Sequence, residues 1–226
     1  MVRRRYELTD AEWSIIEPLL PNKPRGVPWV DDRRALNGIR WRFRTGSPWA
    51  EIPERYGPPT TCYDRFVRWR KAEVWDRLLT AVSAGFAGGI GRSRGGLTSK
   101  IHALVDADGR PVDLRLTGGQ VHDSQEAEAL LEAMPQGATL LADKGYDSNA
   151  IREAAARKKA WANIPARSNR KQRFAFSGWV YRQRNLVERF FNRIKHFRGI
   201  ATRYDKCPEN YLAAVKLICA RIWCAA

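Results

Sequence analysis

Apolar residues recur at helical spacing through the first 83 residues of the chain. Thr9 predicts the start of a first helix, because Glu12 lies three residues on as its capping-box partner. A second helix is expected over residues 31–45, and a long third helix after Thr60, with arginines on its outer turns. Two basic helices in succession favour a small all-α, helix-turn-helix-like domain, with the third helix as its reading element.

The apolar period changes from helix to strand in the second half of the chain. Residues 99–106 and 112–117 alternate as two strands around an Asp-Gly turn at residues 108–109. Short apolar strands and helical stretches then alternate, which predicts an α/β layered domain. The further elements expected are a helix around residues 126–131, a strand at 138–142, a helix at 148–157, a strand at 160–164 and a helix that carries Glu188.

A glycine-rich stretch separates these two parts. Six glycines fall within residues 84–96, and no Gly-Lys-Ser or Gly-Lys-Thr follows, so the stretch is not a Walker A loop. We interpret it as a linker. The sequence therefore predicts an N-terminal helical domain at residues 1–83, a Gly/Arg-rich linker at 84–98, and an α/β domain at 99–226.

The charge adds a polyanionic partner to this picture. The 226 residues carry a formal net charge of +16, and residues 151–226 hold 18 Lys and Arg against four acids. Arginine-rich segments in a folded protein indicate DNA or RNA as the partner. Residues 84–150 hold nine acids against six Lys and Arg, so an acidic centre lies between basic flanks. A metal-dependent nuclease would need that arrangement, with carboxylates for cations and arginines for phosphates.

Other classes of protein are disfavoured. No apolar stretch is long enough to span a membrane, and the N-terminus lacks the apolar region of a secretory signal. The four cysteines form no CxxC pair and the three histidines lie far apart, which argues against a zinc site. We therefore expect a cytoplasmic protein with no membrane partner.

One acid stands within the most basic segment. Tyr181, Arg184, Glu188 and Lys195 have offsets of 0, 3, 7 and 14 residues, so one continuous helix would place all four on one face. A phenol, a guanidinium, a carboxylate and an ammonium aligned in this way suit a phosphate-handling site with a metal ligand at its centre. The other interpretation is a solvated helix face on which Arg184 and Glu188 form an ion pair four residues apart.

A second acid, Asp143, comes directly after an apolar strand. In open α/β sheets, ligands gather at the carboxyl ends of strands, so Asp143 and Glu188 could together bind Mg²⁺ with phosphate oxygens. Two such ions would activate a water and stabilise a leaving 3′-oxygen. The alternative is that Asp143 is a helix cap or a turn residue.

Several segments of the chain resemble the DDE transposases of insertion sequences, specifically the insertion-sequence-five group. The segments are residues 91–106, 141–147 and 200–206, and they span much of the chain. The spacing around Glu188 is similar to the Tyr-Arg-Glu-Lys signature of that group. The helices of residues 1–83 also resemble the small helical domain ahead of the catalytic core, so the resemblance covers nearly the whole chain.

The resemblance implies an RNase H-like catalytic domain at residues 99–226, with Asp143 as the second catalytic acid and Glu188 as the third. Both would bind Mg²⁺ in a two-metal site. The implied partners are double-stranded DNA, as terminal inverted repeats and target, and further copies of the chain in a homo-oligomer at the bacterial nucleoid. The residues expected to contact DNA are Tyr181, Arg184, Lys195, Arg65 and Arg68.

The chain departs from that family where the first catalytic aspartate is expected. No aspartate lies between Asp76 and Asp106, so we interpret the central first strand of the domain as deleted. Asp106, at a strand end, is the best available substitute. Asp108 lies in the turn, and Asp123 is expected to cap the next helix.

The sequence therefore predicts a transposase that binds the ends of its element and performs Mg²⁺-dependent strand cleavage and transfer, with activity weakened or lost through the deletion. The alternative is a non-catalytic, DNA-binding remnant that recognises or represses those ends. A small metal nuclease unrelated to transposition is a third interpretation, which the specific motifs disfavour.

Overall fold

The computed structural model describes most of the chain, in two compact units. The described residues are 7–21, 31–83, 88–92, 99–118 and 123–224. The first unit comprises Met1–Val82 together with Arg193–Ala226, and the second comprises Ser83–Asn192.

The regular elements alternate along the chain as helices and short strands. The helices are α1 (Asp10–Ile16), α2 (Asp32–Thr45), α3 (Pro59–Lys71), α4 (Val74–Ser83), α5 (Asp123–Leu131), α6 (Asn149–Arg157), α7 (Gly178–Tyr181), α8 (Asn185–Lys195), α9 (Arg198–Ala201) and α10 (Pro208–Cys224). The strands are β1 (Gly88–Arg92), β2 (Ser99–Asp106), β3 (Pro111–Gly118), β4 (Thr139–Leu141) and β5 (Trp161–Asn163). Short 3₁₀ turns lie at Glu17–Leu19, Trp49–Glu51, Glu54–Tyr56, Lys144–Tyr146 and Arg182–Arg184.

The predicted start of the first helix at Thr9 and the predicted end of the second at residue 45 are confirmed. The Thr9 hydroxyl accepts a hydrogen bond from the Glu12 amide at 3.0 Å, and the Thr9 amide donates to the Glu12 carboxylate at 2.7 Å. This capping box satisfies two amides that the first turn of α1 leaves without partners. Gly46 ends α2 with a φ of 77°, a left-handed conformation that glycine adopts without steric cost.

The prediction of a single long third helix is wrong, because the structure has two helices there, α3 and α4. Glu73 takes a φ of 54° between α3 and α4 and redirects the chain. The new direction buries Val74 and Trp75 completely. A helix-turn-helix motif would have a short turn between α2 and the recognition helix α3. The structure instead has residues 46–58 between them, with two 3₁₀ turns.

The C-terminal segment packs in the first unit with the N-terminal helices. Helix α9 contacts α2, and α10 contacts α1 and α3. Gly199 lies so close to α2 that a Cβ added to it would be 3.0 Å from the Phe43 carbonyl oxygen. Arg42 and Asp205 form an ion pair at 2.8 Å in the same unit. The sequence analysis assigns residues 193–226 to the α/β domain. The packing of this segment against the N-terminal helices leaves no local pattern in the sequence from which it could be predicted.

The second unit has the mixed α/β character that the sequence predicted. Strand β2 pairs antiparallel with β1 and with β3, and β4 pairs parallel with β5. Strand β1 also contacts β4, so the two small sheets adjoin there. Gly109 has a φ of 74° in the turn between β2 and β3, as the predicted hairpin requires.

Strand β1 corrects the interpretation of residues 84–98 as a linker. Its Ile90 lies opposite Leu104 of β2, and its Gly88 lies opposite Asp106. Glycine is depleted in strands, so composition argued against one here, but pairing with β2 supplies the backbone hydrogen bonds that a strand needs. A strand is therefore present where the sequence indicated a deletion, and it contains no acid. Residues 84–87 and 93–98 lie outside the described part.

Helices α5 and α6 cover the strands of the second unit. Leu104, Leu130, Leu140 and Ile151 share one core with the ring of Tyr146, and all are buried. This core fixes the position of the segment that follows β4. Within the described ranges, none of the helices has the length and apolar character needed to cross a membrane.

The packing of α2 predicts a loss of stability in Gly38→Ala. A Cβ at this position would lie 2.8 Å from the Tyr56 Cβ and 3.0 Å from the Cys62 sulfur. Overpacking costs about 1–3 kcal/mol, whereas alanine itself favours a helix over glycine by about 1 kcal/mol. We expect a net loss, measured as a lower midpoint of urea unfolding. Gly178→Ala, which meets nothing within 4 Å, is the control, and an equal effect in both would contradict the prediction.

Candidate active site

Asp143 follows β4 and caps the 3₁₀ turn that comes next. Its Oδ1 accepts a hydrogen bond from the Gly145 amide at 2.7 Å, so the turn interpretation is confirmed. A Cβ on Gly145 would lie 2.8 Å from this same Oδ1, which explains a glycine here. The other oxygen, Oδ2, accepts no hydrogen bond from the residues that the structure describes. The carboxylate is thus fixed through one oxygen and keeps the second for a ligand.

Glu188 lies on the first turns of α8 and is largely exposed, with 57% of its side chain accessible. The segment from Gly178 to Lys195 is not one continuous α-helix, because the turn at Arg182–Arg184 is 3₁₀. A 3₁₀ helix advances about 120° per residue and an α-helix about 100°. Over the three residues from Tyr181 to Arg184 the difference is only about 60°, so Tyr181 stays on the same side of the segment as Arg184 and Glu188, and Lys195 is two turns beyond Glu188.

Arg184 links the carboxylates of the site. Its Nη2 donates to Glu188 Oε1 at 2.5 Å, so the predicted ion pair four residues apart is confirmed. Burial lowers the pKa of Arg184, but the hydrogen bond and charge of Glu188, with the nearby Asp143, outweigh burial and raise the pKa above its ordinary value. The guanidinium carbon also lies 5.8 Å from the centre of the Tyr181 ring. Glu188 therefore favours the charged form of Arg184 through a direct hydrogen bond, and Asp143 favours it through its charge alone.

The two carboxylates fit part of a metal site. Divalent cations such as Mg²⁺ prefer carboxylate oxygens, and Asp143 and Glu188 each keep one that accepts no hydrogen bond from a described residue. No three His, Cys, Asp or Glu side chains in the described part of the chain lie close enough together to hold a metal ion. The residues therefore do not fit a two-metal site with three acids.

Asp106 does not join Asp143 and Glu188 in such a cluster. It is buried at the end of β2, and its Oδ1 accepts hydrogen bonds from the amides of Asp108 at 2.9 Å and Arg110 at 2.7 Å. Those bonds hold the hairpin turn. Its buried Oδ2 has no hydrogen-bond partner among the described residues. Asp106 thus holds the turn through one oxygen, and what argues against its role as a substitute is that it does not form a three-residue cluster with Asp143 and Glu188. The side chain of Asp123 lies outside the described part.

Asp147 organises the surroundings of Asp143, and sequence reasoning missed it. Its fully buried carboxylate accepts from Arg152 Nε at 2.9 Å, Arg170 Nε at 2.8 Å and the Arg167 amide at 2.8 Å. Arg167 in turn donates to the Gly145 carbonyl at 2.7 Å. The loop after β5 is thereby fastened to the turn that presents Asp143. Asp147 is the last residue of the segment 141–147 that resembles the family, and only that position could have marked it, because most of its partners come from distant positions.

The predicted outward position of Arg65 on α3 is wrong. Only 3% of its side chain is exposed, and it forms an ion pair with Asp32. Residues Cys62, Phe66 and Trp69 of the same helix are also buried, so Arg65 lies within the inward face. Arg68, three residues on, is exposed.

Helix α8 presents exposed basic side chains beyond Glu188. Arg189, Arg193 and Lys195 are all exposed. Clusters of Lys and Arg on one element are the electrostatic signature of phosphate binding. Arg189 and Arg193 are additions to the residues that the sequence singled out.

Comparison with protein families covers almost the entire chain. Residues 8–79 match the family described as "Putative transposase of IS4/5 family". Residues 80–223 match the family described as "Transposase DDE domain".

Similar proteins are found among insertion-sequence products. The "Putative transposase for insertion sequence element IS6501" of Brucella ovis is 34% identical over 128 residues, which cover 56% of this chain and 98% of that protein. The "Insertion element IS402 uncharacterized 16.2 kDa protein" of Burkholderia cepacia is 42% identical over 79 residues, covering 31% and 54%. The "Putative transposase for insertion sequence element IS402" of the same organism is 30% identical over 135 residues, covering 55% and 62%. The chain therefore spans nearly all of the first relative and between half and two thirds of the other two.

The ion pairs of Asp147 predict that Asp147→Asn destabilises the second unit. Breaking a buried ion pair costs about 3–5 kcal/mol, because the remaining charges stay buried without a counter-ion. Calorimetric unfolding at pH 7 would show the lower midpoint. The matched control is Asp113→Asn, since Asp113 pairs with Arg115 at 3.5 Å at a partly exposed site and should contribute less than about 1 kcal/mol. Equal losses of stability in Asp147→Asn and Asp113→Asn would show that the buried ion pairs of Asp147 contribute no more than an exposed pair.

The same network predicts how this stabilisation depends on pH. Burial raises the pKa of Asp147, but the hydrogen bonds from Arg167, Arg152 and Arg170 outweigh it and lower the pKa below its ordinary value. The stabilisation is therefore complete above the unfolded-state pKa of about 3.9 and is lost as the pH falls below it toward the folded-state pKa. The difference in unfolding free energy between wild type and Asp147→Asn should shrink below about pH 4. A difference that is the same at pH 7 and pH 3 would contradict this.

Proposed function

Because the chain belongs to the DDE transposases of insertion sequences, we propose that it binds the DNA ends of its element and that its own strand-cleavage site is incomplete. Members of the family generally use a divalent metal ion, and the name DDE refers to two aspartates and one glutamate. Asp143 and Glu188 would supply the second and third acids here.

The observation that carries the proposal is the composition of β1. The strand reads Gly-Gly-Ile-Gly-Arg from Gly88 to Arg92 and adjoins β4, after which Asp143 lies. It keeps the backbone pairing of the sheet without contributing a carboxylate. Because Asp106 does not form a cluster with Asp143 and Glu188, two acids are left to hold the metal. Mg²⁺-dependent cleavage and strand transfer should therefore be strongly reduced or lost.

The arrangement of strands supports an RNase H-like fold for the second unit. Strand β1 has the antiparallel β2 as its pairing partner and contacts β4, which pairs parallel with β5. Asp143 follows β4, at the kind of strand end where α/β sheets bind ligands. Glu188 lies on the later helix α8, and its charge and that of Asp143 both favour the charged form of Arg184, which supports placing the two acids in one site.

Binding to DNA is supported by charge and exposure. Arg189, Arg193 and Lys195 are exposed on α8, and Arg68 is exposed on α3. Contacts from such side chains to phosphates release counter-ions and supply affinity that does not depend on sequence. Tyr181 and Arg184 lie closer to the carboxylates, so we place them at the phosphate nearest to the cleavage position. Arg65 is left out because it is buried.

Residual cleavage is the second candidate function. It is favoured by Asp143 and Glu188 acting on the same guanidinium, each with one carboxylate oxygen free of hydrogen bonds from described residues. A metal bound by this pair would supply Lewis-acid chemistry at a phosphodiester. Arg184 would hold the two acids together until the cation arrives. In both candidate functions, DNA binding alone and residual cleavage, the chain would act as a homo-oligomer.

Nicking of supercoiled DNA separates the two candidates. The purified chain is incubated with Mg²⁺ or Mn²⁺ and a plasmid that carries the DNA flanking its reading frame. We expect no cleavage above that of Asp143→Ala and Glu188→Ala, because the third acid is missing, while a mobility shift shows binding to the flanking DNA. Cleavage by wild type that is lost in both variants would instead show that another group completes the site, and would overturn the proposal.

The phosphate contacts of α8 predict a smaller salt dependence of DNA binding in Lys195→Ala. Each phosphate contact contributes about one unit to the slope of log K against log salt, so the slope should fall by about 1 at all DNA sequences. The control is Arg157→Ala, which removes an equal charge from the exposed end of α6. Affinity and slope unchanged in Lys195→Ala, or changed equally in both variants, would show that Lys195 makes no phosphate contact.

A further inference from the structure

Asn163 is a buried residue of the second unit whose side-chain amide binds the backbone of one distant residue. It is the last residue of β5 and has no exposed surface. Its Nδ2 donates to the Ser177 carbonyl at 3.0 Å, and its Oδ1 accepts from the Ser177 amide at 2.8 Å. Two hydrogen bonds to one residue fix its position and its orientation, as a bonded pair does between antiparallel strands. Asn163 therefore holds Ser177 against the sheet.

Ser177 begins the helical segment that leads into α8. Its hydroxyl accepts from the Val180 amide at 3.3 Å, and its carbonyl accepts from the Tyr181 amide at 3.0 Å as well as from Asn163. The residue that Asn163 binds is thus also the residue that caps α7. The 3₁₀ turn at Arg182–Arg184 and then α8 follow directly. The contact with Asn163 therefore sets where this helical segment starts.

The segment Gly178–Arg184 has few other attachments. None of its residues is buried, so apolar packing does not hold it. Apart from the ion pair of Arg184 with α8, no hydrogen bond joins it to another helix or strand within the described part of the chain. Helix α8, in contrast, buries Val187 and Phe190. The position of this short segment therefore depends on Ser177, whereas the position of α8 depends on its own apolar packing.

The strand that carries Asn163 is itself fixed to the segment of Asp143. Asn163 lies opposite Leu141 of β4, two residues before Asp143. The carbonyls on either side of Asn163 accept hydrogen bonds from Arg152 at 3.2 and 2.9 Å, and Arg152 also donates to Asp147 at 2.9 Å. A continuous path of strand pairing and hydrogen bonds thus runs from Asp143 through β5 to the start of α7.

We propose that Asn163 is a positioning residue, which places Tyr181 and Arg184 at the phosphate nearest to the cleavage position. Because Asn163 is fully buried, it cannot contact DNA itself and acts through Ser177. The role in DNA binding rests on the contact that the proposed function assigns to Arg184, whereas the anchoring of the segment can be measured without DNA. Loss of the amide should release residues 178–184 while β4, β5 and α8 stay in place.

The first test is hydrogen exchange in the unmodified chain. The Ser177 amide donates to Asn163, and the Trp161 amide at the start of β5 donates to the Ala138 carbonyl at 3.0 Å. If Ser177 is anchored to the strand, these two amides should exchange at rates within about tenfold of each other. Exchange of the Ser177 amide at the rate of an unstructured chain would overturn the proposal. This test needs no variant and no DNA.

The second test is the same measurement in Asn163→Leu. Leucine has the same number and branching of side-chain heavy atoms as asparagine but forms neither hydrogen bond. The amides of Ser177 and Val180 should exchange at least about tenfold faster in this variant, while the Trp161 amide keeps its rate. Rates at Ser177 and Val180 that match those of the wild type would overturn the proposal.

The third test is a double-mutant cycle for binding to the DNA that flanks the reading frame, at one fixed salt concentration. Arg184→Ala should weaken binding roughly tenfold in the wild type, the size of one charge-assisted contact, but less than about twofold in Asn163→Leu. Lys195→Ala is the control, because α8 keeps its own packing and its effect should be the same in both backgrounds. General destabilisation by Asn163→Leu would not change the effect of Arg184→Ala selectively.

The outcomes of the cycle separate this proposal from the proposed function. An equal loss of affinity from Arg184→Ala in the two backgrounds would overturn the positioning role of Asn163. No loss from Arg184→Ala in the wild type would instead overturn the DNA contact assigned to Arg184 and, with it, the role of Asn163 in DNA binding. The exchange rates at Ser177 would then still decide whether Asn163 anchors the segment.

Discussion

The backbone pairing of β1 with β2 is the interaction on which the second unit depends. Strand β1 contains three glycines, and its backbone pairs with β2 from Gly88 to Arg92. It also contacts β4, and β4 leads directly to Asp143. A chain that loses an acidic strand can keep its sheet if another segment takes over the pairing. The metal-binding role of the missing acid is not replaced in this way, because backbone hydrogen bonds between strands supply no carboxylate ligand.

Arginine side chains are the main partners of Glu188 and Asp147 in the second unit. Arg184 compensates Glu188 directly and Asp143 at longer range, while Asp147 gathers three arginines around a buried carboxylate. The two arrangements differ in exposure and therefore in strength. The Arg184–Glu188 pair is partly open to water, whereas the Asp147 network is desolvated and fixes the backbone that presents Asp143.

The parts of the fold that the sequence predicted are those with local causes. Thr9 and Glu12 identify a helix start because the capping box lies within four residues, and Gly46 identifies a helix end for the same reason. The hairpin at Gly109 is equally local. Strand β1, the inward position of Arg65 and the packing of α9 against α2 depend on partners distant in sequence. In the site, Asp143 and Glu188 could be chosen from their positions, but the 3₁₀ turn before Asn185 and the role of Asp147 required coordinates.

Hydrogen exchange at the backbone amides of β1 tests the central claim most directly. If Gly88–Arg92 is the strand that completes the sheet without supplying an acid, its amides bonded to β2 should be protected to about the same degree as those of β2 itself. Exchange in this segment at the rate of an unstructured chain, with β2 still protected by β3, would contradict the account. The segment would then be the linker that its composition indicates.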